Sequence, residues 1–198
     1  MEVSSRAVDP APPHPFRVLP PSRAAEATGA LDLVVEASAF GGGTHPTTAS
    51  CLALLAGLAP LDGQRVLDLG SGSGILAIAA VRLGAASALC VDVNPDAVAN
   101  ARENAARNGV GPSLAHLLGG PGDVPGTFDL VLANVGGELL LDEAPRIALL
   151  ARAGGRLVLS GLLRGWADAL QSAYGSAGCD VLDRRFPGEF CTLLLRRR

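Results

Sequence analysis

The chain has 198 residues, a formal net charge of −3, 48% hydrophobic and 18% charged residues. This describes one core-rich globular domain, and the acidic balance argues against a nonspecific grip on nucleic acid or on an anionic membrane. The four cysteines, at 51, 90, 179 and 191, form no C-x-x-C pair, so no zinc or other metal site is expected, and their apolar neighbours fit buried free thiols in a reducing, cytoplasmic setting.

Residues 1–30 are rich in Pro, Ala and Ser, and "PAPPHPF" and "LPPSR" predict an irregular segment rather than a helix. The N-terminus lacks the apolar core of a secretory signal, and no run is long and apolar enough for a membrane span. A single domain is expected over 31–198. "LDLVVEA" (31–37) reads as a short strand. "FGGGTHPTT" (40–48) leads into the helical run "TTASCLALLAGLA", which Pro60-Leu61-Asp62-Gly63 ends.

From residue 65 strands and helices alternate. "RVLDLG" (65–70), "SALCVDV" (87–93), "SLAHLL" (113–118), "FDLVLANV" (128–135) and "GRLVLSGL" (155–162) read as strands. Between them lie helices over "GILAIAAVRLG" (74–84), "NPDAVANARENAARNG" (94–109) and "ELLLDEAPRIALLARAG" (138–154). Asn94 and Pro95 make a helix start and Gly109 its end. Pro145 requires a kink or a break in its helix. A last helix, "WADALQSAYGSAG" (166–178), precedes "CDVLDRRFP" and "EFCTLLLRRR", two strands around a short Pro187-Gly188 turn. The terminal Arg196 to Arg198 reads as a solvated tail. Alternating apolar strands and helices imply an α/β fold, a mainly parallel sheet with helices on both faces. A short turn between the last two strands makes them antiparallel.

"VLDLGSGSGILAIAA" (66–80) carries the chemistry. Glycines at 70, 72 and 74 turn the chain sharply and let a ligand approach the backbone. Asp92, at the end of the next strand, can accept hydrogen bonds from ribose hydroxyls. Gly72-x-Gly74-x-x-Ala77 also fits the relaxed dinucleotide pattern, which keeps a NAD enzyme open. Asp68 argues against it, because it sets a negative charge where a pyrophosphate would lie and would favour a cationic ligand. Thr44 or His45 caps the helix after the glycine stretch, with Pro46 in its first turn. The free N–H groups there suit a carboxylate, and Thr44, Thr47 and Thr48 add hydroxyls. His45 has no assigned role as a base.

"VLDLGSGSG" followed by "VDVNPDAVANARENAARNG" resembles the first two motifs of class I S-adenosylmethionine-dependent methyltransferases. With "AFGGGTHPTTASCLALL" and "FDLVLANV" added, the chain is similar to the PrmA family, which methylates lysine in a protein of the large ribosomal subunit. The similarity runs over residues 31 to 198. It implies a Rossmann-like sheet of seven strands with an antiparallel last strand, and S-adenosyl-L-methionine as cofactor. The cofactor site it implies takes Phe40, Thr44, His45 and Thr47 from the first motif. Asp68, Gly70, Ser71 and Gly72 come from the glycine turn, and Asp92, Val93 and Asn134 from the ends of the next strands. Asn134 is also the catalytic candidate, since an asparagine there can orient an attacking nitrogen, and a neutral amine needs orientation rather than a strong base. A capping role for Asn134 is the alternative.

Several departures from the family stand out. Gly42 replaces a threonine, and "EAS" (36–38) replaces Asp-Pro-Gly-like residues. Asp123 is the one acid after the third strand of the alternation that could approach the adenine. The family's N-terminal recognition domain is expected to be lacking, since about 30 residues precede the shared part. The expected reaction is therefore methyl transfer to nitrogen of a protein acceptor. The alternative is a peptide or small-molecule methyltransferase that shares the catalytic domain. No nucleic-acid partner is expected.

Overall fold

The computed structural model describes residues 13–36 and 43–198. Nine strands and six α-helices occur among them. Seven strands form one sheet: β3 (Arg65–Leu69), β4 (Ser87–Asp92), β5 (Leu114–Leu118), β6 (Phe128–Asn134), β7 (Ala151–Leu163), β8 (Cys179–Arg185) and β9 (Phe190–Arg197). Their spatial order is β5-β4-β3-β6-β7-β9-β8. Pairs from β5 to β7 are parallel, and β9 runs antiparallel to both β7 and β8. The expected Rossmann-like sheet with its antiparallel strand is the observed one.

The helices are α1 (Pro46–Leu58), α2 (Ile75–Arg82), α3 (Pro95–Arg107), α4 (Gly137–Asp142), α5 (Ala144–Leu150) and α6 (Ala167–Ser176). Side chains alternate across β3. Val66 joins the core made with α1 and α2, while Leu67 and Leu69 join the core made with α4, α5 and α6. Each face of the sheet is thus sealed by apolar burial, the dominant stabilising term. α1 is apolar almost all round, and Thr47 to Leu52, Leu54 and Leu55 are all buried. A helix of that pattern belongs inside a core. The helix expected over 138–154 divides at Glu143, with Pro145 in the first turn of α5, where its missing N–H costs no hydrogen bond. β7 begins at Ala151, earlier than the expected strand.

Two expectations change. The segment before residue 31 is not irregular throughout: β1 (Arg17–Leu19) pairs in parallel with β2 (Asp32–Val34), and a 3-10 helix spans Pro21–Glu26. Phe16 and Leu19 are buried, and Phe16 packs into the α1–α2 core. Arg17 holds Asp32 through two hydrogen bonds of 2.9 and 2.6 Å. Proline-rich composition lowers helix propensity, but it does not stop three residues pairing when a buried phenylalanine anchors them. The strand expected over 31–37 is accordingly β2, which lies outside the main sheet. The second change concerns the terminal arginines. Arg196 and Arg197 lie within β9, and Arg197 donates to the carbonyls of Leu149 and Ala151 at 3.2 and 2.6 Å. Arg198 donates to Asp180 and to the Gly175 carbonyl. The pairing of the preceding leucines carries the strand through these arginines, so they end a strand rather than form a tail, although Arg196 and Arg198 remain exposed as expected.

Candidate functional site

β4 and β5 lie on one side of β3, and β6 and β7 on the other. The crevice at the carboxyl ends of the strands, where this order reverses, is the usual place for a ligand. A cleft of about 370 Å³ occupies it, within the range of roughly 300–1,000 Å³ typical of small-molecule sites. Asp68 and the glycine turn line one wall, His45, Thr47 and Thr48 of the α1 start another, and Asn134, Val135, Gly161 and Phe190 the third.

The turn after β3 is held by its backbone. Gly70 and Ser71 donate to the Val91 carbonyl at 2.8 and 3.0 Å, and Gly74 donates to the Ser71 carbonyl at 2.7 Å. Gly70, Gly72 and Gly74 all have positive φ, a region that glycine enters without penalty. The three glycines serve different ends. A Cβ on Gly70 would stand 2.1 Å from Val135 Cγ1, and one on Gly74 would stand 3.1 Å from Ala101 Cβ. A Cβ on Gly72 would meet nothing within 4 Å, so there the backbone is bared toward open space. Ser71 Oγ is buried and has no hydrogen-bond partner among the described residues.

Asp68 is 1% exposed. Its Oδ2 accepts the Ala77 amide N–H at 3.1 Å, which places a carboxylate on the first turn of α2, whose N-cap, Gly74, has no side chain to cap with. Burial pushes the Asp68 carboxyl up to about 7; the Ala77 amide opposes that rise and nearby Asp92 adds to it. Asp92 accepts the Gly72 N–H on Oδ2 at 2.9 Å and the Asn94 N–H on Oδ1 at 3.0 Å. One carboxylate therefore ties the glycine turn to the start of α3, whose N-cap Asn94 accepts from Asp96 N–H at 2.9 Å. A carboxylate has about four acceptor positions, so two remain for a ligand.

His45 is the N-cap of α1; its Nδ1 lies 2.8 Å from Thr47 Oγ1 and accepts the Thr47 N–H at 3.4 Å. Its ring meets Phe190 edge-on, with centroids 5.0 Å apart. Asn134 ends β6, and its Nδ2 donates to Thr48 Oγ1 at 3.3 Å, so its carbonyl oxygen is the acceptor it can offer to a ligand. The capping alternative for Asn134 is not observed, because α4 starts from Gly136 with no side-chain cap. Val135 fits beneath the cleft because Gly161, at φ +88°, leaves room; a Cβ there would approach the Val135 carbonyl oxygen to 2.5 Å.

His45, Thr47, Asp68, Gly70, Ser71, Gly72 and Asn134 thus meet at one cleft. Asp92 does not line the cleft but is bonded to Gly72, which does. Thr44 and Val93 do not line the cleft; both are exposed, Val93 by 75%. Val93 follows β4 at the strand-end edge where Leu118, 56% exposed, ends the neighbouring β5. Asp123 folds back and accepts the Gly120 N–H at 2.9 Å. Phe40 and Gly42 lie outside the described residues. The sequence reading of the site missed Ser73, Ile75, Leu76, Val135, Gly136, Gly161 and Phe190. A glycine inside a strand signals a close backbone approach, so Gly161 was findable; Phe190 enters from the far hairpin and has no local signal.

The family model described as "Ribosomal protein L11 methyltransferase (PrmA)" matches residues 18–198. The chain is 50% identical over 138 residues to a ribosomal protein L11 methyltransferase of Pectobacterium carotovorum subsp. carotovorum, covering 69% of this chain and 46% of that one. It is 45% identical over 162 residues to the corresponding protein of Ectopseudomonas mendocina, covering 81% and 55%. The chain spans about half the length of these curated relatives. Among solved structures, a ribosomal protein L11 methylase from Lactobacillus delbrueckii subsp. bulgaricus superposes with a TM-score of 0.80 at 28% identity, covering 96% of this chain and 97% of that one. A magnesium protoporphyrin IX methyltransferase from Synechocystis, solved with bound SAM, shares the fold at a TM-score of 0.63 and 20% identity, covering 74% of this chain and 76% of that one.

Proposed function

The chain belongs to the ribosomal protein L11 methyltransferase (PrmA) family, and on that premise we propose that it is an S-adenosylmethionine-dependent methyltransferase acting on nitrogen of a protein acceptor. The observation that carries the proposal is the pairing of a buried Asp68 with a bared Gly72 in one cleft that Asn134 also lines. An acid there suits a cation, and it already holds the helix amide a pyrophosphate would need, which weighs against a dinucleotide.

The residues fit this cofactor. Asp68 offers a negative charge to its ammonium and sulfonium end. The Ser71 hydroxyl and the α1 start, with Thr47 and Thr48, offer hydrogen bonds to its carboxylate. Asp92 keeps acceptor positions for ribose hydroxyls, and exposed Val93 and Leu118 offer an apolar bed for the adenine. Bound there, S-adenosylmethionine would supply an electrophilic methyl group on sulfur. Asn134, anchored through Thr48, orients the acceptor nitrogen by accepting its N–H, and the amine's lone pair does the rest. His45 and Phe190 narrow the approach to Asn134, which suits a slender alkylamine such as a lysine side chain.

A cytoplasmic setting goes with this reading, supported by four free, buried cysteines. Among the described residues no helix is long and apolar enough to cross a membrane. Incubating the chain with radiolabelled S-adenosylmethionine and either ribosomal protein L11 or a metabolite extract tests the proposal. Label in the protein supports it, label only in small molecules moves the acceptor to that class, and no calorimetric binding of the cofactor overturns the reading.

A further inference from the structure

The last turn of α3 and its C-cap place two buried asparagines, Asn104 and Asn108, one turn apart, and the cofactor reading gives neither a task. Asn108 serves β2: its Oδ1 accepts the Val34 N–H at 2.9 Å and its Nδ2 donates to the Val34 carbonyl at 2.7 Å. It supplies the two hydrogen bonds that a neighbouring strand would have supplied. Asn104, 0% exposed, reaches two places at once. Its Oδ1 accepts the Glu36 N–H at 2.9 Å, and its Nδ2 donates to the Glu36 carbonyl at 3.1 Å and to the Ser73 carbonyl at 3.0 Å. Arg107 donates to the same Oδ1 at 2.8 Å. Ser73 sits between Gly72 and Gly74 and lines the cleft. Val18 of β1 also packs against the chain that leads into α1, since a Cβ on Gly43 would stand 2.7 Å from Val18 Cγ2.

We propose that Asn104 is a positioning residue that locks the glycine turn and the chain at Glu36, two residues past β2, to one point, so that cofactor binding and ordering of this segment reinforce each other. The inference rests on the cleft being the S-adenosylmethionine site. A buried amide with its donor and acceptor both engaged is a rigid cross-link; removing it takes the buried donor from the Ser73 carbonyl and the acceptor from the Glu36 amide, while Asn100 Nδ2 still donates to the Glu36 carbonyl at 3.2 Å. A ligand that fixes the turn strengthens the bond to Ser73 and thereby the bonds to Glu36. By linkage, ordering at Glu36 strengthens ligand binding by the same factor. Asn108 provides the control, because it holds β2 without touching the turn.

The test measures S-adenosylmethionine affinity by calorimetry and amide hydrogen exchange over residues 34–36, in the intact chain and in Asn104→Ala, Asn104→Asp and Asn108→Ala. In the wild type the ligand should slow exchange at 34–36. Asn104→Ala should weaken binding about tenfold or more and abolish that slowing. Asn108→Ala should speed exchange in the free protein while leaving affinity within about threefold. Asn104→Asp keeps the shape and the acceptor but loses the donor to Ser73, so it should also bind weakly if Asn104→Ala does not fold. Wild-type affinity in a folded Asn104 variant overturns the inference, as does equal weakening by Asn108→Ala. Absence of ligand-induced protection in the wild type also overturns it, with no variant needed. A wild type that binds no S-adenosylmethionine overturns the site reading first and this inference with it.

Discussion

The Asp68 carboxylate accepts the Ala77 amide at 3.1 Å, so an acid from β3 closes the first turn of α2 from outside the helix. One side chain therefore serves both the fold and the cleft. Its two roles conflict with pH, and the conflict is measurable.

In the folded chain burial holds the Asp68 carboxyl at about 7, above its ordinary value of 3.8. The folded state keeps a proton that the unfolded chain releases. Asp68's contribution to stability is therefore full below about pH 4 and is lost as pH rises toward 7. Asp68→Asn should flatten the stability profile across that window, by on the order of 3 kcal/mol. Urea unfolding at pH 4.5 and 7.5 measures the difference, and parallel profiles for the two proteins would contradict it.

A cationic ligand favours ionised Asp68. Affinity for S-adenosylmethionine should therefore rise as pH increases through about 7, with proton release on binding. Calorimetry in buffers of different ionisation enthalpy detects the proton, and Asp68→Asn should release correspondingly less.

Asp92 holds the Gly72 and Asn94 amides with its two oxygens. Asp92→Ala should weaken cofactor binding by about 1–3 kcal/mol, from both lost ligand bonds and a loosened turn. Affinity equal to the wild type would mean the ribose lies elsewhere.

Asn134→Ala should lower kcat by about 100-fold while the cofactor Kd changes little, as expected when orientation of the acceptor is lost. Single-turnover methyl transfer, paired with calorimetry, separates the two.

Gly161→Ala and Gly72→Ala should fail differently. At Gly161 the new Cβ meets the Val135 backbone at 2.5 Å in a left-handed conformation, so unfolding free energy should fall by about 2–3 kcal/mol or more. At Gly72 the Cβ enters open space, so the stability cost should stay near 1–2 kcal/mol while cofactor affinity falls. Chemical denaturation and calorimetry on both variants give the comparison; equal profiles would refute the distinction.

Local patterns determined much of this protein. The alternation from Arg65 onward, the Asn94-Pro95 start of α3, the break at Pro145 and the antiparallel end of the sheet were all legible, because periodicity and turn chemistry act between near neighbours. So was the union of Asp68, the glycine turn and Asn134, since parallel strands bring their carboxyl ends to one edge whatever the loops do. Tertiary structure alone decided what crosses long stretches of chain. Val135 settles between Gly70 and Gly161, Phe190 meets His45, Asn104 bridges Glu36 and Ser73, and Phe16 draws a proline-rich segment into a strand pair. Those contacts join residues up to 145 positions apart, and no local propensity encodes them; they follow from packing a closed core and satisfying the buried amides within it.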